Sequence, residues 1–166
     1  MKGQAVLISY TLAVLLGVIL IVFSSIMFFS FYSNFLKNQM RSNLEILALQ
    51  LSNSVLTSYE FANNSEYLPE NSSCILIEEV KLKFPQKISS RNYEIYVQSY
   101  DGNLTITAKT IQEPLETVER KLPDIRVDFQ GKIKSGESPG LSYYRCNLNN
   151  VVSDKIILGK IEFEES

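Results

Sequence analysis

The sequence predicts an α+β protein, a long amino-terminal helix followed by a small antiparallel β-sandwich or curled sheet. Three observations carry this. Gly3 to Leu36 contains no Asp, Glu, Lys or Arg and is largely apolar from Ala5 through Tyr32. Beyond it, Leu36, Met40, Leu44, Leu47, Leu51 and Val55 recur in steps of four and three, which draws one stripe down a helix. From Cys74 onward that period gives way to short alternating apolar runs separated by turn formers, the pattern of half-buried strands.

The first stretch is long enough to cross a bilayer. A run of roughly 20 apolar residues spans a hydrocarbon core of about 30 Å as a helix, since a helix satisfies its own backbone groups in lipid. A cleaved secretory signal has an apolar region of only about 7–15 residues, so this run is too long for one. No Pro or Gly interrupts the chain from Val18 to Tyr59. Span and stripe therefore read as one rod of about 80 Å, at 1.5 Å per residue. Such a rod is too long to be buried by the small remainder of the chain, so the stripe is expected to find cover in lipid or in other helices, as bundled copies would provide.

The expected division is a helix at 4–60 (span 5–32, amphipathic extension 33–60) with 1–3 ahead of it, and a β-rich domain at 61–166. With 166 residues, one globular domain beside the helix is the natural count. Lys and Arg number 16 against 18 Asp and Glu, so there is no cationic surface for nucleic acid. Without His or Trp the chain lacks the commonest neutral-pH acid/base group and metal ligand. No enzymatic role and no cofactor are expected. Cys74 and Cys146 both lie beyond the span, which fits either one structural disulfide outside the cell or two buried thiols. Three acceptor sequons, at Asn63, Asn71 and Asn103, also lie on that side and favour an outward-facing domain with the amino terminus cytoplasmic.

Within the domain, turn formers after Tyr59 end the helix and Cys74–Phe84 begins the strands. Tyr93–Tyr100 and Asn103–Lys109 flank Asp101-Gly102, a pair suited to a two-residue type I′ hairpin. Pairing Tyr100 with Asn103 sets Val97 opposite Ile106 and Ile95 opposite Ala108 on the core face. Pro114 suits either the first position of a short helix through Lys121, with Leu115 and Val118 inward, or an edge loop. Residues 124–133 alternate Ile125, Val127 and Phe129 inward against Arg126, Asp128 and Gln130 outward. Residues 135–140 form a turn, and 141–148 and 155–163 supply the last strands, for five or six in all.

The search for chemistry leaves little. The seven glycines are scattered singly, so no phosphate-binding loop is present. Glu78, Glu79, Glu113, Glu116, Glu119 and the terminal Glu162, Glu164 and Glu165 read as solvated faces rather than paired carboxylates. Tyr93, Tyr96, Tyr100, Tyr143 and Tyr144 offer a binding face or, more simply, sheet cover.

Lys2-Gly3-Gln4 directly before an unbroken apolar helix resembles the class III signal peptide of archaeal type IV pilin-like proteins. The resemblance covers the leader, the span and the general layout. It implies cleavage by a prepilin peptidase between Gly3 and Gln4, and packing of the apolar helix into the core of a surface filament. Partners would then be the membrane, the peptidase, and other copies or related subunits. The fifth position after that cut is Ile8, where many bacterial-type pilins carry a Glu that related archaeal subunits lack. Leu82-Lys83-Phe84-Pro85 with Ile88 and Tyr93-Glu94-Ile95 also resembles segments of small archaeal pilin-like β-domains. The alternative reading from the residues is a single-pass anchored surface protein whose β-domain binds a glycan or a protein.

Overall fold

The computed structural model describes residues 2–70, 73–100, 103–123, 125, 127–148 and 151–160. It divides into two compact units, Met1–Asn38 and Gln39–Ser166. Helix α1, Lys2–Asn64, runs through the first and into the second. The uninterrupted run of helix-compatible residues extends it a turn past Tyr59. It stops where the Ser65 backbone N–H and hydroxyl both donate to the Ala62 carbonyl, at 3.1 and 2.7 Å, ahead of Pro69.

Among the described residues seven strands follow: β1 Ser73–Lys81, β2 Tyr93–Tyr100, β3 Asn103–Thr110, β4 Thr117–Lys121, β5 Asp128–Lys134, β6 Pro139–Leu148 and β7 Val151–Lys160. Of the two arrangements expected, they form one open sheet, in the order β1-β6-β7-β5-β2-β3-β4. Among the described strand pairs only β5–β7 is parallel. The β2–β3 register is the one the hairpin pattern implies, Tyr100 with Asn103 and Val97 with Ile106. The Asp101-Gly102 turn lies outside the described residues.

Residues 117–121 are a strand rather than a helix or loop. Thr110 is the cause: its N–H donates to the Glu116 carbonyl at 3.0 Å, and its hydroxyl accepts from the Glu116 N–H at 2.9 Å and donates to the Pro114 carbonyl at 3.1 Å. That folds 111–116 back, so the next five residues pair with β3 at the sheet edge. Val118 turns partly inward, whereas Leu115 is exposed. In β5, Phe129 and Ile133 are buried while Asp128 and Gln130 are exposed; Ile125 and Val127 are buried ahead of the strand, and Asp124 and Arg126 lie outside the described residues. Gly131 is needed where β5 meets β7: its φ is +119°, and a Cβ there would sit 1.8 Å from the Leu158 carbonyl oxygen.

The core of the second unit lies between one face of this sheet and the last turns of α1. Met40, Leu44, Leu47, Leu51 and Val55 are buried, joined with Tyr93, Ile95, Ile106, Ile133, Leu141 and Ile156 in one apolar cluster. This corrects the expectation that the stripe faces other copies. Alternation gives the sheet one wholly apolar face, and the stripe is its cover; burying each Leu stabilises by about 1.5–3 kcal/mol. Leu36, which lies in the first unit, is half-buried. The second unit accordingly begins at Gln39, well before the boundary of 61 drawn from composition.

Candidate functional site

The first unit is defined by what does not cover it. From Ile8 to Phe35 almost every large apolar side chain is exposed, among them Leu16 at 55%, Phe28 at 66% and Phe31 at 74%. One helix is long and apolar enough to cross a membrane, and none of its most apolar stretch is buried. Its polar side chains suit that role: the Ser25 hydroxyl donates to the Ile21 carbonyl at 2.8 Å and so leaves no unmade donor. Phe28 and Tyr32, four residues apart, stack with ring centroids at 6.2 Å. An apolar surface of this extent is covered by lipid or by other helices.

In the second unit the most connected polar group is Arg145, buried on β6. Its Nε donates to Asp154 Oδ1 at 2.9 Å on the paired strand β7. Its Nη2 donates to the Ala62 carbonyl at 2.8 Å, and its Nη1 to the Ser65 carbonyl at 3.1 Å. Tyr143 donates its hydroxyl to Asp154 Oδ2 at 2.8 Å. A helix ends in carbonyls without intrahelical partners and a partial negative charge, so a guanidinium there satisfies the acceptors and the dipole together. Two residues along β6, Asn147 Nδ2 donates to the Pro69 carbonyl at 3.2 Å. The end of α1 and the connector after it are thus fastened to β6.

Between those two residues, Cys146 is bonded to Cys74 of β1, with an S–S distance of 2.03 Å, and the two are directly paired in register. Alternation puts this link on the opposite face of β6 from Arg145.

The remaining sequence candidates fall as follows. Asn63 is exposed in the last turn of α1, but the Ser65 hydroxyl of its sequon is engaged with Ala62 and Arg145. Asn71 and the side chain of Asn103 lie outside the described residues, as do the Gln4 side chain and residues Glu162, Glu164 and Glu165. The five tyrosines do not form one face: Tyr93 and Tyr143 are core residues, Tyr96 and Tyr144 are half-buried on the other side, and the Tyr100 side chain is not described. Tyr93 donates its hydroxyl to the Pro85 carbonyl. On the solvent face Glu94 pairs with Lys109 at 2.8 Å, and that hydrogen bond holds its carboxyl below the usual range. Lys109 also lies over the Tyr96 ring, 5.3 Å from its centroid.

Sequence reasoning missed the Arg145 clamp. Arg145 and Ala62 lie 83 residues apart, and an Arg alternating along a strand carries no signal of which distant carbonyl it meets. Compared with known proteins, the chain matches no family model, no curated protein and no solved structure.

Proposed function

We propose that the chain is a pilin-like structural subunit of an archaeal cell-surface filament or pseudopilus, without catalytic activity. A prepilin peptidase cuts between Gly3 and Gln4. The amino-terminal helix waits in the membrane, amino end cytoplasmic, and then packs against the helices of other subunits, while the β-rich head stays outside the cell. The observation that carries this reading is the uncovered apolar helix from Ile8 to Phe35, in a chain whose head has an apolar core of its own. Because the head already uses Met40, Leu44, Leu47, Leu51 and Val55, the assembly surface shifts to the residues before Leu36. The clamp at Arg145 and the Cys74–Cys146 link suit a subunit whose helix and head must not separate outside the cell, where disulfides persist.

The test is electron microscopy of the chain expressed with a prepilin peptidase. Filaments that disappear when Gly3→Val blocks processing support the reading. A processed chain that stays a dispersed, lipid-bound monomer would overturn it in favour of a simple anchored surface protein.

A further inference from the structure

β1 is the edge strand that carries the disulfide, and its other ties to the head are weak. It ends the sheet, so among the described strands its one neighbour is β6. None of its nine residues is fully buried, and Ile77 and Val80 pack only partly against the core. Its register with β6 shifts between Leu76 and Glu78, and one oxygen of the Glu78 carboxylate is buried without a hydrogen-bond partner. A shifted ladder and an unpaired buried acceptor both weaken a strand's hold. β6, by contrast, buries Leu141 and Tyr143 completely.

The chain on either side of β1 is fixed without it. Before the strand, Arg145 Nη1 donates to the Ser65 carbonyl at 3.1 Å and Asn147 Nδ2 to the Pro69 carbonyl at 3.2 Å. After it, Leu82 is buried and its N–H donates to the Pro139 carbonyl at 3.0 Å. Arg145, Asn147 and Pro139 all belong to β6. β1 is therefore a strap between anchors at Pro69 and Leu82, and it can leave β6 without pulling on α1 or β2. The Cys74–Cys146 bond ties it down between them, with Cys74 exposed and Cys146 buried.

We infer that this bond is a redox latch: closed, it holds β1 in the sheet, and opened by an external dithiol it lets residues 73–81 lift while the remainder of the head stays folded. The remainder keeps its core because no fully buried member of the apolar cluster comes from β1. A thiolate of the dithiol attacks the sulfur of the exposed Cys74, the S–S bond breaks, and Cys146 leaves as a thiolate that takes a proton. The dithiol's second thiolate then displaces Cys74 and closes its own disulfide, so two electrons pass to the protein and two thiols result. Lifting leaves one side of the β6 backbone unpaired, an edge open to pairing with another strand. In an oxidising compartment the latch keeps that edge covered, whether or not the chain assembles into filaments.

The test is amide hydrogen exchange of the full-length chain in detergent micelles, read by mass spectrometry over a range of low denaturant concentrations, before and after dithiothreitol. A strap that opens without exposing the core exchanges almost independently of denaturant, whereas exchange through global unfolding rises steeply with it. After reduction, amides of residues 74–80 are expected to exchange about tenfold or more faster than those of β2 and β3 and to lose their denaturant dependence. Cys74→Ser/Cys146→Ser should show the same pattern without reductant, and re-oxidation of the parent should restore protection. Unchanged exchange in residues 74–80 would mean that the ladder alone holds the strand, and overturns the latch. An equal loss of protection across β1, β2 and β3, with one common denaturant dependence, overturns it as well, because reduction then loosens the head as a whole.

Discussion

Arg145 Nη2 donates to the carbonyl oxygen of Ala62 at 2.8 Å, which ties the end of the long helix to β6 of the sheet. The same guanidinium is paired with Asp154, and both side chains are largely buried. Replacing it with Met leaves the Asp154 carboxylate without its cation and the helix carbonyls without donors. Breaking a buried pair by removing one partner costs about 3–5 kcal/mol. Arg145→Met is therefore expected to lower the denaturant midpoint markedly, and Arg145→Met/Asp154→Asn to recover part of the loss. Equal stability of Arg145→Met and the parent in chemical denaturation would refute the clamp.

The link between Cys74 and Cys146 closes a loop over a sequence separation of 72. For a loop of that length the unfolded chain is constrained by roughly 4 kcal/mol. Cys74→Ser/Cys146→Ser should unfold at lower denaturant by a corresponding amount, and the parent should lose the same stability in reductant. A thiol count on unfolded, unreduced protein is expected to read zero.

Leu51 and Leu49 separate a core role from an assembly role. Leu51 is fully buried against the sheet, while Leu49 is 39% exposed on the helix's outer side. Leu51→Ala is expected to cost about 2–5 kcal/mol, and Leu49→Ala within roughly 0.5 kcal/mol. The measurement is equilibrium unfolding of the full chain in micelles, followed by the near-ultraviolet signal of the head's tyrosines. Similar small effects at both positions would mean that the stripe does not pack on this sheet.

Two buried tyrosines set the alkaline limit of the head. Burial pushes the Tyr93 hydroxyl up to about 12, and Tyr143 is raised further, by burial first and then by its hydrogen bond to the Asp154 carboxylate. In the unfolded chain both would ionise near pH 10. Between there and the folded values the unfolded state holds fewer protons, so stability falls as pH rises. The contribution is whole below about pH 10 and lost through the window up to about 12 for Tyr93. Tyrosinate absorbance should show ionisation of Tyr93 and Tyr143 coincident with unfolding. Tyr93→Phe is expected to lessen the alkaline loss.

How far the sequence reveals this molecule depends on the range of each signal. The β2–β3 register was legible because Asp101-Gly102 and the alternation of Ile95, Val97, Ile106 and Ala108 are local and agree with each other. The stripe from Met40 to Val55 was equally legible as a face, but period alone does not say what covers a face, and the partner was this chain's own sheet. β4 was lost because Thr117–Lys121 offers one apolar residue, and its placement depends on Thr110 reaching back across the loop. The clamp was illegible for the same reason at longer range. The uncovered helix, by contrast, needs no tertiary partner within the chain, so composition alone exposed it.

The most direct test of the filament-subunit reading is the amino-terminal mass of the chain purified from cell surfaces, taken together with electron micrographs of the same material. A chain beginning at Gln4 within filaments is the expected result. An intact Met1, or cleavage well inside the apolar helix, in material without filaments would contradict it.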